Sequence, residues 1–291
     1  MLIGLLQSIV KLIIWRPDVV FTKGGYVCLP IGLAAALLRI PLVIHDSDAH
    51  PGLTNRILAR FASQIATGAP LEYYPYPKSK SHYVGIPISP LFRPLTSAEQ
   101  LEAKQKINVD TARPLVVVTG GGLGAKRLND AVVDCLDELL SLASVVLVSG
   151  SAQYDKLRRA VPAGDTRFQL HEFISGDMAT YMGAADIVVA RAGATTILEL
   201  AALNKPTILV PNRYLTGGHQ LKNAAVYGEA SAVKIVDEIE LVENPSLLVE
   251  AIGQLLSDPG QMQQMSARFA QFARPQAASE MAQIIRQALR R

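Results

Sequence analysis

Short apolar runs alternate with longer amphipathic segments along most of this 291-residue chain. A run such as Leu-Val-Val-Val-Thr at 115–119 is typical of a strand buried on both faces of a sheet, and the longer segments are typical of helices. Strands that alternate with helices predict parallel sheets with helices on both sides, so the expected fold class is α/β. The predicted strands are 18–22, 41–45, 63–67, 82–84, 115–119, 145–149, 168–171, 187–190 and 207–210.

A proline-rich stretch divides these strands into two groups. Pro87, Pro90 and Pro94 lie close together, which is typical of an interdomain linker. Immediately after them, Ser97 and Gln100 have the spacing of a capping box at the start of a helix. Two α/β domains are therefore expected.

The first group of strands is too small for a complete domain. It offers only a few short strands, and a helix precedes them. Such a sheet would leave an edge and apolar faces uncovered, so we expect the chain to lack an N-terminal segment. The expected domains are residues 1–92, residues 93–272, and a C-terminal helix at 273–291 that packs back on the first domain.

Composition narrows the class of protein. Hydrophobic residues make up 49% of the chain and charged residues 18%, which argues against disorder. The net charge is +3 and there is no dense run of Lys or Arg, which argues against a nucleic-acid partner. Cys28 and Cys135 stand in apolar or helical surroundings, so we expect buried free thiols and a reducing cytoplasm.

The first fifteen residues are strongly apolar apart from Gln7 and Lys11. The stretch is shorter than the about 20 residues that span a bilayer, and it lacks the features of a signal peptide. Its apolar residues recur at helical spacing. This leaves two interpretations, a helix packed into the core or a helix lying on a membrane surface.

Residues 191–199 form a small-residue loop that opens a helix directly after a predicted strand. The exposed N–H groups and the dipole of a helix start suit a phosphate. Glu199 lies one turn beyond Thr195 on the same helix face, where its carboxylate can accept hydrogen bonds from a ribose diol. The pattern favours a nucleotide diphosphate, with an ordinary turn at Gly193 as the alternative.

A second glycine-rich loop, residues 120–125, also follows a strand and precedes a helix. Its spacing fits a dinucleotide fingerprint, but the next strand is not followed by the expected acidic residue, which disfavours a dehydrogenase. A tight structural turn is the alternative. Further on, His219 and Gln220 open a helix, and the Gln220 amide offers both a donor and an acceptor for sugar hydroxyls.

The loop at 45–50 contains two histidines and the pair Asp46 and Asp48. This invites a divalent-metal site, although short Asp and Ser loops also cap helices and no further acidic cluster is visible. His45, Asp46 or Asp48 could instead act as a general base or hold an acceptor hydroxyl.

Taken together, the motifs resemble those of the MurG-like UDP-N-acetylglucosamine transferases of glycosyltransferase family 28, over nearly the whole chain. The ordered matching blocks are Pro17-Asp-Val-Val20 with Gly24-Gly25-Tyr26-Val27, His45 with Gly52-Leu-Thr-Asn55, Gly85-x-Pro87, Gly120-Gly121-x-x-Gly124-Ala125, Glu172-Phe-Ile174, Arg191-x-Gly193-Ala194-x-Thr196 with Glu199, and His219-Gln220-x-x-Asn223.

The resemblance implies a GT-B fold, with two Rossmann-like domains facing a cleft and the N-terminal one incomplete. It implies inverting transfer of GlcNAc from UDP-GlcNAc to the 4-hydroxyl of an undecaprenyl-linked muramoyl-pentapeptide, at the cytoplasmic face of the membrane as a peripheral protein. It implies no metal and no cofactor, because backbone dipoles hold the diphosphate. The implied UDP-GlcNAc-binding residues are Asp48, Gly122, Ile174, Ala194, Thr195, Thr196, Glu199, His219 and Gln220.

The sequence departs from the family in three places. The N-terminal loop Gly-Gly-Thr-Gly-Gly-His is absent, the linker position that usually holds an Arg is Ser89, and the donor-loop Ser is Gly122. No residue is assigned as the catalytic base. The alternatives are another glycolipid-forming UDP-sugar transferase and a nucleotide-sugar-binding chain without activity of its own.

Overall fold

The chain forms two compact α/β units in a computed structural model, which describes residues 1–122, 124–161 and 164–289. The first unit contains Met1–Ile88 together with the chain from Arg274 onward. The second contains Ser89–Ala273.

Helices and strands alternate as the sequence predicted. The strands are β1 (Val20–Thr22), β2 (Leu42–Asp46), β3 (Gln64–Thr67), β4 (Ser81–Tyr83), β5 (Leu115–Thr119), β6 (Ser144–Val148), β7 (Phe168–His171), β8 (Ile187–Ala190), β9 (Thr207–Leu209) and β10 (Lys234–Ile235). The helices are α1 (Leu2–Trp15), α2 (Cys28–Leu37), α3 (Leu53–Leu58), α4 (Ser97–Lys106), α5 (Lys126–Asp134), α6 (Leu136–Leu142), α7 (Ser151–Ala160), α8 (Met178–Ala184), α9 (Ala194–Ala202), α10 (His219–Glu229), α11 (Glu238–Glu243), α12 (Ser246–Ser257), α13 (Pro259–Ala270) and α14 (Ala277–Leu289).

The sheet of the first unit is parallel, in the order β1-β2-β3-β4. Alternate residues of β2 serve opposite faces, because side chains of a strand point to the two sides in turn. Leu42 and Ile44 pack in a cluster with residues of α1, α2 and α3, whereas Val43 packs with Ala66 and α14. Helices therefore cover both faces of this sheet.

The sheet of the second unit is also parallel, in the order β10-β9-β8-β5-β6-β7. Its central strands are rich in valine, which favours a pleated and fully buried surface. The first strand of the unit, β5, lies between β6 and β8. Chain order therefore runs outward from β5 in both directions, as in a doubly wound fold.

The predicted parallel α/β class in both halves is confirmed. The capping box is one residue earlier than predicted. Thr96, not Ser97, has the extended backbone that a cap requires, and its Oγ1 accepts a hydrogen bond from the Glu99 N–H. Gln100 instead donates to the carboxylate of Asp186 at 3.0 Å.

Cys28 and the two-residue strand β10 also differ from expectation. Cys135 is a buried free thiol, whereas Cys28 is free but only half-buried. Strand β10 was not predicted, because two residues carry too little pattern to be recognised. Among the described helices, none combines the length and the apolar character needed to cross a bilayer.

Candidate functional site

A cavity of about 250 Å³ opens at the carboxyl ends of β5, β8 and β9 in the second unit. The order of strands reverses between β5 and β8, and ligands of open parallel sheets bind at such a point. The lining residues are Thr119, Gly120, Gly121, Gly122, Gly124, Arg191, Gly193, Thr196, Asn212, Leu215 and Gln220.

The glycine loop after β5 contains two kinds of glycine. A Cβ at Gly120 would lie 2.5 Å from the Ala125 nitrogen, and one at Gly124, whose φ is +73°, would lie 2.5 Å from the Ser149 carbonyl oxygen. These two positions require glycine for close packing. A Cβ at Gly122 would meet no other described atom within 4 Å, so this cavity-lining position has room for a side chain.

Two helices begin beside the cavity. Helix α5 follows its cap residue Ala125, and α9 follows Gly193; neither cap residue makes a side-chain hydrogen bond to its helix. The N–H groups of the first turn are therefore available to a ligand, and the positive ends of two helix dipoles flank the same space. This arrangement suits an anion such as a diphosphate.

Among the predicted residues of α9, Thr196 lines the cavity and Ala194 is the first residue of the helix. Thr195 is exposed, and Glu199 is half-buried one turn further along the helix, outside the lining set. Burial raises the pKa of the Glu199 carboxyl.

Helix α10 brings Gln220 to the cavity. Its Oε1 accepts a hydrogen bond from the Asn212 N–H at 2.8 Å, and Asn223 Nδ2 donates to the carbonyl oxygen of Ala192 at 3.1 Å. These bonds join α10 to the segments that follow β8 and β9. Because the Gln220 side-chain oxygen already accepts this hydrogen bond, its NH₂ group is the part that can bind a ligand. The sequence had predicted that Gln220 could act both as donor and as acceptor.

An ion pair between Arg191 and Glu238 beside the cavity was not predicted from the sequence. Arg191 is 6% exposed, and its Nη2 donates to Oε1 of Glu238 at 2.5 Å. Glu238 is buried at the start of α11. The two residues belong to different segments of the chain, and no local pattern connects them.

The remaining predicted residues lie apart from the cavity lining. Ile174 is half-buried in the segment after β7, and His219 is half-buried at the first position of α10. Asp48 belongs to the first unit, in the loop that follows β2, and is half-buried.

Two candidate bases, His45 and Asp46, lie at the end of β2 and are buried. His45 is 0% exposed, its Nε2 lies 2.8 Å from the Gly85 carbonyl oxygen, and burial lowers its pKa to about 4. Asp46 accepts a hydrogen bond from the Tyr76 hydroxyl at 2.7 Å, and burial raises its pKa to about 6. Both side chains are engaged by other segments of the first unit, so the structure does not support His45 or Asp46 as an exposed general base.

The described residues do not support a metal site at Asp46 and Asp48. Within residues 1–122, 124–161 and 164–289, no three His, Cys, Asp or Glu side chains come together as they would around a metal ion.

Models of two family domains match the chain. The glycosyltransferase family 28 C-terminal domain matches residues 115–281, and the family 28 N-terminal domain matches residues 1–67. Together they cover β1, β2 and β3 of the first sheet, all strands of the second sheet and every segment that lines the cavity.

Curated relatives match over nearly the whole chain. A "UDP-N-acetylglucosamine--N-acetylmuramyl-(pentapeptide) pyrophosphoryl-undecaprenol N-acetylglucosamine transferase" of Natranaerobius thermophilus is 30% identical over 97% of this chain and 77% of its own length. A protein of the same name, numbered 2, from Bacillus thuringiensis is 32% identical over 93% of this chain and 74% of its own length. The crystal structure of Acinetobacter baumannii MurG matches with a TM-score of 0.78 and 25% identity, over 97% of this chain and 77% of that one.

Proposed function

This chain belongs to glycosyltransferase family 28, and we propose that it transfers N-acetylglucosamine from UDP-N-acetylglucosamine to the 4-hydroxyl of a lipid-linked muramoyl-pentapeptide. It is a hexosyltransferase of peptidoglycan synthesis with a GT-B fold. The donor is a UDP-sugar, and the acceptor is a lipid-linked saccharide.

The observation that carries the proposal is the cavity between two helix starts at the carboxyl edge of the second sheet. The diphosphate lies against the glycine loop and the N–H groups of Ala194, Thr195 and Thr196. Gly122 lines the same space. Helix dipoles and N–H groups supply the positive potential that a divalent cation supplies in other sites.

The rest of the donor follows from where the neighbouring residues lie. The Glu199 carboxylate, one turn along α9, accepts hydrogen bonds from the ribose hydroxyls. The backbone of Ile174 meets the uracil, and the Gln220 NH₂ group with His219 recognises the sugar. The assignment of Asp48, in the first unit, stays a prediction from the family resemblance.

The reaction inverts the configuration at the sugar. The acceptor hydroxyl oxygen attacks the anomeric carbon and loses its proton to a general base. The bond from that carbon to the diphosphate oxygen breaks, so that UDP leaves with the electron pair. Negative charge then grows on the diphosphate. Fixed N–H donors aimed at this charge stabilise the transition state without having to reorganise.

We further propose that the protein binds peripherally to the cytoplasmic face of the membrane through α1. This helix packs on α2 with Leu12 but exposes most of its apolar residues, among them Ile14 at 77% and Trp15 at 79%. Lys11 and Arg16 are exposed on the same segment. An exposed apolar helix with a cation on it and another at its C-terminal end suits an anionic lipid surface.

Activity and donor binding test the proposal together. Purified protein with UDP-GlcNAc and a muramoyl-pentapeptide lipid should release UDP and yield a product heavier by one N-acetylhexosamine, with diacylglycerol giving none. Glu199→Ala should weaken UDP-GlcNAc binding in calorimetry by about 1–3 kcal/mol, because charge-assisted hydrogen bonds to the ribose are lost.

Glu102→Gln is the matched control, since Glu102 is an exposed acid on α4 outside the cavity lining. It should bind UDP-GlcNAc like the wild type. A wild-type protein that binds no UDP-GlcNAc would refute the proposed donor. A Glu199→Ala variant that folds and binds with full affinity would refute the ribose contact.

A further inference from the structure

Glu238 is a carboxylate with no exposed side-chain surface, next to the donor cavity. Burying a carboxylate is costly unless opposite charges and N–H donors surround it. It stands at the first position of α11, whose cap is its neighbour Asp237. Asp237 therefore has a clear role as the helix cap. Glu238 is not the cap, so its burial must be stabilised by other partners.

Those partners come from three separate segments. Oε1 accepts from Arg191 Nη2 at 2.5 Å, and Oε2 accepts from the Arg213 backbone N–H at 3.2 Å. Arg127 Nη1 lies 3.7 Å from Oε2. Arg191 follows β8, Arg213 lies in the loop after β9, and Arg127 lies in the first turn of α5. The segments after β8 and β9 line the cavity, and α5 directly follows the glycine loop that lines it.

The loop after β9, residues 211–215, depends on this carboxylate for its position. Besides the Arg213 N–H bond to Glu238, the Arg213 guanidinium pairs with Asp237 at 3.1 Å, and the Arg127 guanidinium lies 4.1 Å from the centre of the Tyr214 ring. At its start, the loop donates the Asn212 N–H to Gln220. Movement of the loop would therefore move Gln220.

The charges around Glu238 also favour binding of the negatively charged donor. One buried carboxylate faces two guanidinium groups, those of Arg191 and Arg127, so the cluster carries an excess of positive charge beside the cavity. Arg191 is held by a second bond, from Nη1 to the Val210 carbonyl oxygen at 2.9 Å. The carboxylate thus orients Arg191 while leaving a potential that favours an anion.

We propose that Glu238 is a positioning residue of the donor site. It fixes the 211–215 loop, and this loop in turn positions the Gln220 NH₂ group that binds the sugar. The inference rests on the proposed function, because it takes Gln220 as a contact of the sugar. Glu238 itself touches no substrate. Its loss should therefore affect the sugar part of the donor far more than the diphosphate part, which α9 and the glycine loop hold independently.

The test compares two ligands on the variant Glu238→Gln. The amide keeps one acceptor but presents an NH₂ to the donors of Arg127 or Arg213, so the loop is released. The dissociation constant for UDP-GlcNAc should rise about tenfold, while that for UDP changes less than about threefold. Glu240→Gln, an exposed acid on the same helix, should leave both constants unchanged.

Arg127→Ala provides a second route, at a residue that is not itself buried, since its side chain is 42% exposed. It removes one partner of Glu238 and the contact with Tyr214. Because this substitution also removes a positive charge beside the cavity, the dissociation constants of both ligands should rise, and that for UDP-GlcNAc should rise about threefold more than that for UDP. Arg158→Ala on α7 is a control of equal charge change.

The outcomes separate the two proposals. Selective loss of UDP-GlcNAc affinity in both variants supports the role of Glu238. Equal loss of UDP and UDP-GlcNAc affinity, or wild-type affinity for both, overturns it while the donor assignment stands. Failure of the wild type to bind UDP-GlcNAc refutes the donor assignment itself.

Discussion

At Gly122 a side chain can be added to the glycine loop without a clash and without a left-handed backbone, whereas the neighbouring Gly121 has a φ of +76°. The Cβ position of Gly122 is free of other described atoms within 4 Å, and this residue lines the cavity. Gly122→Ser should place a hydroxyl donor next to the diphosphate. We expect UDP-GlcNAc to bind more tightly by about 0.5–1.5 kcal/mol, the net value of one hydrogen bond, as measured by calorimetry.

Gly124→Ser is the matched control within the same loop. Gly124 has a φ of +73°, and its Cβ would lie 2.5 Å from the Ser149 carbonyl oxygen, so this variant should lose thermal stability. Weaker binding by Gly122→Ser, or a loss of melting temperature equal to that of Gly124→Ser, would contradict the prediction.

Asp46 makes the stability of the first unit depend on pH. Burial raises its pKa from 3.8 to about 6. The folded chain then binds this proton more tightly than the unfolded chain, so the free energy of unfolding falls as pH rises from about 4 to about 6. Relative to the wild type, Asp46→Asn should gain about 1–3 kcal/mol between pH 4 and pH 7, measured by urea unfolding.

His45 acts in the opposite direction. Burial lowers its pKa from 6.5 to about 4, so the folded state loses stability as pH falls through this range. Wild type alone would show the two contributions offsetting each other. Both the wild type and Asp46→Asn contain His45, so its contribution cancels in the difference between their free energies of unfolding. If this difference does not change with pH, the pKa of Asp46 is not raised and the prediction is wrong.

At the scale of elements, α1 is the helix whose surface least resembles that of a soluble protein. Trp15 is 79% exposed at its C-terminal end. Trp15→Ser should reduce sedimentation with anionic phospholipid vesicles about tenfold or more, because burial of a large apolar side chain contributes about 1.5–3 kcal/mol. The melting temperature should not change, since this side chain packs against little.

Phe173→Ser is the control for vesicle binding. Phe173 is also largely exposed, at 65%, but belongs to the second unit. Its loss should leave vesicle binding unchanged if α1 is the docking element. Equal effects of the two substitutions would indicate non-specific adsorption of apolar side chains.

At the scale of the whole molecule, the first unit is built from both ends of the chain. Helix α14 supplies Ala277, Met281 and Ile284 to the face of the first sheet that contains Val43 and Ala66. The second unit lies between these two parts in sequence. The cover of one face of the first sheet therefore depends on residues that follow the entire second unit.

Strand positions were predictable because their signal is local. Valine-rich runs such as 115–119 and 145–148 identify a strand within five residues. The glycine loop and the start of α9 could be predicted for the same reason. The capping box was misplaced by one residue because the spacing of Thr96 and Glu99 is also that of Ser97 and Gln100. Only the backbone conformation separates the two.

Local sequence patterns suffice to predict the two parallel α/β units and the segments that bear the family's motifs, because hydrophobic period and loop composition act over a few residues. Which of these segments meet depends on the tertiary fold. The order β9-β8-β5 brings the glycine loop, Arg191 and Asn212 to one cavity, and it places Glu238 against Arg191. The energy of a buried charge depends on neighbours from distant segments, and no local pattern encodes those neighbours.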